Sequence, residues 1–390
     1  MRRHAQSNTE EQVIDNMKIT EINRIEDFLA LENEWSDLLE TIDHTVFSRW
    51  EWLSTWWKHF GNNKRLLILL AEEHNQIVAI APLMYSVENV YGLRIGKIEF
   101  IGTPDAAYCD FILGEKRKEC VKLFMNYLSN YHEKWSNIKF SDVPATSKSI
   151  KLLTGAFENS KKAQVSVLDD CPLLILPKSF DAFMNILHSK FRGNIRRSQR
   201  RLQEKYTMEF VNYSNPKTVE KGMNILFDLH QKIWIQKGQT GSFANSNVRS
   251  FYLDVAKLFS KKKMLGLYSL QADDNPVAII YGYKSKSEFH FSSIGRNNAY
   301  SRFGVGNLLI SNTIKTCIEE DVSKFNFGRG NEDYKYKWGA QNIKNLEITV
   351  IKNGIAPQIT YWLYRGFFKL NRARAWLLML KNRKLYYDQA

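Results

Sequence analysis

From Ser287 to Ile294 the chain alternates, with Phe289 and Phe291 on one side and Glu288, His290 and Ser292 on the other. A period of two over this length predicts a strand with one face in the core. The period then lengthens. Leu308 to Ile318 places its apolar residues at helical spacing, and just ahead of it Ser301-Arg302-Phe303-Gly304-Val305-Gly306-Asn307 carries two glycines that let the backbone turn tightly. A helix entered in this way aims unpaired N–H groups and a partial positive charge at whatever lies before it, which favours a phosphate. A second strand follows, with Phe325 and Phe327 at strand spacing, and runs into Gly328-Arg329-Gly330-Asn331-Glu332-Asp333-Tyr334-Lys335-Tyr336-Lys337-Trp338-Gly339. Buried aromatic groups on both sides read this run as an anchored functional loop. Lys335 and Arg329 are its candidate contacts to phosphate or to an oxyanion, and Tyr334 is a candidate general acid. On this reading alanine at either cationic position costs activity and leaves stability unchanged.

The same pattern of elements occurs twice. A shift of 199 positions aligns Trp35 with Trp234, Lys58 with Lys257, Phe60 with Phe259, Leu66 with Leu265, Val78-Ala79-Ile80 with Val277-Ala278-Ile279 and Ser86 with Ser285, all without a gap. In each half a helical region with Trp precedes an aromatic helix, a strand, a polar turn (72–76 and 272–275) and a second apolar strand. Recurrence of both residues and elements points to a duplication. The fold class expected is therefore α/β, an α+β mixed sheet built from two tandem domains. The first half has Cys109-Asp110-Phe111-Ile112-Leu113-Gly114 where the second has Gly304-Val305-Gly306, so phosphate binding belongs to the second half. The expected divisions are an extension at 1–16, a first domain at 17–165, a second at 166–350 and a basic amphipathic tail at 351–390.

Length, 390 residues, suits two domains, and 44% hydrophobic with 13% aromatic content suits packed cores. A formal net charge of +14 points to polyanionic partners. From Lys190 to Lys205 seven of sixteen residues are Lys or Arg, and Arg196 with Arg200 and Arg197 with Arg201 stand at i, i+4. One helix thus displays a basic stripe with no acidic residue before Glu204. Cys109, Cys120, Cys171 and Cys317 lie far apart, which implies neither a zinc site nor a disulfide framework. No metal is expected. The chain has no membrane-spanning stretch or signal-peptide core, and a cytoplasmic location is expected. The tail from 359 to 387 combines Trp362, Phe367, Phe368 and Trp376 with Lys369, Arg372 and Arg374, a composition suited to peripheral contact with the inner membrane face.

Strand, phosphate-type turn, helix and strand in this order resemble the acyl-CoA site of the GNAT acyltransferase superfamily. The segment Phe191-Arg192-Gly193-Asn194-Ile195-Arg196-Arg197-Ser198, the step from Leu229-His230 to Trp234, and Phe325-Asn326-Phe327-Gly328-Arg329-Gly330 followed by Tyr334-Lys335 resemble the CelD-like acetyltransferases associated with cellulose and exopolysaccharide biosynthesis. Their doubled fold is similar to that of the Fem aminoacyltransferases. The superfamily's loop usually begins with Gln or Arg where this chain has Ser301, and Arg302 comes one position late. The resemblance implies two GNAT-like domains and transfer of an acyl group from acetyl-CoA or another acyl-CoA to an amine. It also implies that Ser292 and Ile294 on the donor strand face the thioester, while Arg302, Gly304, Val305, Gly306 and Asn307 hold the pyrophosphate. The acceptor would be a small-molecule or lipid-linked amine, such as an amino sugar of a surface polysaccharide.

The base is open among His290, His230, Asp110 and Asp333. His290 lies on the donor strand, His230 shares a helix face with Trp234, and Asp110 either caps a turn or lines a cleft between halves. Two other readings keep the fold. One replaces the donor by aminoacyl-tRNA, the sole nucleic acid expected as a partner. The other is a non-catalytic binder of polyanions or membrane surfaces.

Overall fold

The computed structural model describes residues 17–352, apart from 91, 132–134 and 158–162. The extension at 1–16 and the tail at 359–387 lie outside the described residues. The first half begins with β1 (Met17–Ile22) and the short helices α1 (Ile25–Ala30) and α2 (Glu32–Glu40), then α3 (Trp50–Phe60). It continues through β2 (Lys64–Glu73), β3 (Gln76–Val90), β4 (Leu93–Phe100), β5 (Ile112–Leu113), α4 (Arg117–Ser129), β6 (Asn137–Pro144) and α5 (Lys148–Phe157). After β7 (Ala163–Ile175) come α6 (Phe180–Ile186), α7 (Ser189–Gln203), β8 (Met208–Asn212), α8 (Val219–Gln236) and α9 (Ser246–Lys261). The second meander is β9 (Leu265–Ala272), β10 (Asn275–Lys284) and β11 (Glu288–Arg296), followed by α10 (Val305–Glu319), β12 (Lys324–Asn326), α11 (Asp333–Tyr336) and β13 (Gln341–Ile351).

The mixed α/β class and the doubling are both realised. In each half three antiparallel strands, β2-β3-β4 and β9-β10-β11, lead through a helix to a strand lying parallel to the third, β6 on β4 and β12 on β11. A parallel neighbour needs such a crossover, and α4 and α10 supply it. Leu66 on β2 and Leu265 on β9, or Ile80 on β3 and Ile279 on β10, hold the places that the repeat assigns to them, and all four are buried.

One continuous sheet results, ordered β1-β2-β3-β4-β6-β13-β7-β12-β11-β10-β9-β8, with β5 on β3. Its centre is β13, which pairs antiparallel with β6 on one side and with β7 on the other. Helices α3 and α9, equivalents in the two halves, pack on each other through Trp52 and Phe251 with ring centroids 5.5 Å apart and Phe60 and Phe251 at 5.2 Å. Lys58 and His59 reach Asp254 across the same contact at 2.8 and 2.9 Å. One aromatic core therefore spans both halves, and a second lies between α7, α10 and β9 to β12. Among the described residues no helix is long and apolar enough to cross a membrane.

Candidate functional site

Strand β11 builds the site. Its parallel ladder with β12 holds from Glu288 to His290 and then stops, while pairing with β10 continues to Arg296 past a bulge at Tyr281/Gly282. From Phe291 onward one edge of β11 is thus without a strand partner among the described residues. At one end of this edge is a cavity of about 250 Å³, and at the other the turn into α10.

The cavity lies between the halves. Phe47, Asp105 and Ala107 come from the first, and Tyr252, Tyr283, His290, Ser292 and the segment from Phe327 to Lys335 from the second. Five residues singled out from the sequence thus meet here: His290, Ser292, Arg329, Tyr334 and Lys335. The expected alternation on β11 is altered, because both faces are covered. Phe289 enters the second core, while His290, 4% exposed, enters the aromatic layer between halves. Its ring stands 4.8 Å from Phe47 and 6.2 Å, stacked, from Tyr283. Burial, with Arg329 and Lys335 nearby, lowers its pKa from 6.5 to about 3, so the imidazole is neutral. Its Nδ1 is buried without a hydrogen-bond partner. Ser292 lines the cavity beside Tyr252 and Tyr283.

The loop after β12 is anchored as its aromatic flanks suggest, with Phe327 and Trp338 buried. Gly328 has φ +66°, and a Cβ there would meet the Phe291 carbonyl oxygen at 3.1 Å. Lys335 departs from expectation. Its ammonium donates to the carbonyls of Arg329 (2.7 Å), Gly330 (3.0 Å) and Gly328 (3.4 Å) and pairs with Glu332 at 2.8 Å. Its donors are spent holding the loop, so it serves the backbone before any ligand. Arg329 crosses to the first half, where Nη1 meets Asp142 at 3.2 Å and Nη2 donates to the Pro104 carbonyl at 2.7 Å. Tyr334 is largely buried, which raises its pKa and keeps the hydroxyl protonated.

Three candidate bases lie elsewhere. Asp110 accepts the hydroxyls of Ser147 and Ser149 and the Phe111 N–H at 2.8 Å, just ahead of α5. It holds a turn and is absent from the cavity lining. Asp110→Ala is expected to lower stability by about 2 kcal/mol, with ligand affinities unchanged in the folded fraction, as denaturant melts and titration of the same sample will report. His230 on α8 accepts from Trp234 Nε1 at 2.9 Å and packs on Phe243 at 4.7 Å, and burial lowers its pKa to about 4. Asp333, exposed, opens α11.

At the far end of β11 the turn has the anticipated form. Gly304 adopts φ +61°, a left-handed conformation that other residues enter at a cost, and begins the fifteen-residue α10. The N–H groups of Asn307 and Leu308 fold back on the Gly304 carbonyl at 2.9 and 3.1 Å. Those of Val305 and Gly306 have no backbone partner among the described residues. A Cβ on Gly306 would find nothing closer than Arg296 at 4.0 Å, so the approach to these N–H groups is open. The Val305 side chain is in the core and can offer only its backbone. Arg302 is exposed, its guanidinium 4.8 Å from the Phe303 ring, and Ile294 is half-buried against the second core. The basic helix α7 lies alongside, Ser198 Oγ being 3.1 Å from where a Gly304 Cβ would sit, with Arg196, Arg197, Arg200 and Arg201 exposed. Arg200 has Glu204 at 3.6 Å, so part of the stripe is compensated within the helix.

Sequence reasoning missed Phe47, Asp105, Asp142, Tyr252 and Arg296. The duplication was the available signal, since a doubled fold brings its halves together at a cleft. Among the described residues no group of three or more His, Cys, Asp or Glu side chains could hold a metal ion.

Residues 189–336 match the family model described as an acetyltransferase (GNAT) domain. A search of curated proteins gives no match. Among solved structures, FemX is similar at a TM-score of 0.61 and 11% identity, over 89% of this chain and 99% of FemX. The C-terminal domain of a putative lysylphosphatidylglycerol synthetase from Agrobacterium fabrum is similar at 0.52 and 12% identity, over 88% of this chain and 97% of that domain. L-PGS from Bacillus licheniformis follows at 0.50 and 12%, over 85% and 95%. At such identities the likeness is one of fold. Residues 189–336 are thus similar to an acetyltransferase (GNAT) domain, within a fold similar over most of the chain's length to that of FemX.

Proposed function

We propose that the chain is an N-acyltransferase that moves an acyl group from acyl-CoA to an amine in the cavity between the halves. One observation carries this reading: β11 leads from that cavity to Arg296, which lies 4.0 Å from where a Gly306 Cβ would sit, with one edge open along the way. An extended donor bound to that edge has its phosphates at the N-terminus of α10 and its acyl end beside His290 and Tyr334. The chain's residues fit such a donor, because Gly306 has no side chain to cover the unpaired N–H groups and Arg296 lies 4.0 Å from where its Cβ would sit. The amine nitrogen attacks the acyl carbonyl, a C–N bond forms and the C–S bond breaks. The thiolate takes a proton from the Tyr334 hydroxyl, and the proton shed by the nitrogen passes to a cavity acceptor, His290 or Asp105. Backbone N–H groups on the open edge of β11 receive the developing oxyanion.

Acetyl-CoA is expected to bind in a calorimetric titration. Gly306→Val, which fills the approach without a strained φ, is expected to weaken it at least tenfold in a folded chain. Equal affinity in the variant would remove the donor site from α10. Within this reading fall the CelD-like resemblance, an amino sugar of a surface polysaccharide as acceptor, and recruitment to a lipid-linked acceptor through 359–387.

A second reading, an aminoacyl-tRNA donor, is favoured by the exposed arginines of α7 beside the same turn. Charged tRNA in place of acetyl-CoA separates the two, since only one donor will be consumed.

A further inference from the structure

Four ionisable side chains other than His290 and tyrosines line the cavity: Asp105, Arg329, Glu332 and Lys335. Each cation has its own carboxylate, Arg329 the buried Asp142 at 3.2 Å and Lys335 its neighbour Glu332 at 2.8 Å. Asp105 is left over. It makes no ion pair among the described residues, and its one hydrogen bond is from Trp56 Nε1 to Oδ2 at 2.8 Å, which leaves Oδ1 without a donor. A partly buried carboxylate in this position is costly until a cation reaches it.

The second half supplies a matching group. His290 is 4% exposed, and neither of its ring nitrogens has a hydrogen-bond partner among the described residues; Nδ1 is fully buried in that condition. An imidazole held neutral by burial can accept a hydrogen bond. The rings of Phe47, Tyr252 and Tyr283, whose faces attract cations, line the same cavity. A carboxylate oxygen, an imidazole nitrogen and aromatic walls together suit an ammonium group, with its three N–H donors and apolar stem. A neutral hydroxyl of the same size satisfies one acceptor and leaves the carboxylate uncompensated.

We propose that the cavity recognises its acceptor as a primary ammonium, held by Asp105 from the first half and by His290 from the second. This rests on the reading of the chain as an acyltransferase and adds the class of acceptor and its charge on arrival. Asp105 thereby gives the first half, which lacks the glycine turn, the task of choosing the acceptor. About 250 Å³ is below the usual range for a whole drug-sized ligand, so the ammonium enters on a compact arm while the rest of the acceptor stays outside, past Glu332.

The probes are butylamine, a cation at pH 7, and its neutral isostere 1-butanol, titrated into the full chain and followed by ligand-observed NMR. Butylammonium is expected to bind and 1-butanol not to displace it at equal concentration. Asp105→Asn keeps the Trp56 bond through its amide oxygen and is expected to weaken butylammonium at least tenfold with acetyl-CoA affinity unchanged. Equal affinity for butylammonium in the folded variant, or equal displacement by 1-butanol, overturns the assignment. Should the variant not fold, the comparison of the two probes on the unaltered chain decides alone. Failure of acetyl-CoA to bind, with butylammonium still dependent on Asp105, removes the donor reading and leaves the ammonium site standing.

Discussion

Lys335→Ala is expected to lower the stability of the chain by about 3 kcal/mol. The ammonium is almost wholly buried and bonds three successive carbonyls of the loop, those of Gly328, Arg329 and Gly330. Its partner Glu332 is largely exposed, so the ion pair itself contributes little and the carbonyls carry the effect. Lys335→Met separates stem from charge: it keeps the apolar packing and is expected to lose nearly as much. Urea unfolding of both variants measures this. An unchanged midpoint with activity abolished would return Lys335 to a direct role in transfer, as the bare sequence suggests.

Acidification is expected to weaken the fold through buried histidines. His290 has its pKa lowered to about 3 and His230 to about 4, both from 6.5. Below pH 6.5 the unfolded chain therefore binds protons at these sites that the folded chain refuses. Stability falls as pH drops from 6.5 toward 4, at a rate approaching about 1.4 kcal/mol per pH unit for each imidazole. Asp142 acts in the opposite sense. Burial raises its pKa from 3.8 to about 6 despite Arg329, so between pH 6 and 4 the folded chain takes up this proton first and offsets one of the two histidines. His290→Asn is expected to flatten the profile between pH 6.5 and 4 and Asp142→Asn to steepen it, in denaturant melts at half-unit steps. Identical slopes in wild type and His290→Asn would mean that the ring is protonated in the folded chain.

Much of this was legible where chemistry is local. The repeat at 199 positions gave the doubled meander because strand length, turn and apolar run recur together, and each is decided within a dozen residues. Gly304 and the helix after it were legible for the same reason. His290 was found on its strand, yet its burial was not, because Phe47 covers it from 243 positions away in the chain. Asp105 carries no local mark, being a carboxylate after a proline, and acquires its place only when the halves meet. Lys335 and Asp110 show the converse. A charged residue in a suggestive run looks reactive until the carbonyls or hydroxyls that consume its bonding capacity are visible.

The central position of β13 also sets an order of events during synthesis. Strand β6 ends at Pro144, and its partner begins at Gln341, 197 residues later (341 − 144). At ribosomal rates that is a wait of roughly 10 to 40 s. Throughout it the first half has its meander and helices in hand but an open edge at β6, in the middle of what will become one sheet. A nascent chain with such an edge invites wrong partners, and a neighbouring copy at the same stage presents the same edge. Release of residues 341–351 from the ribosome is thus the step at which the strands of the two halves close into one sheet.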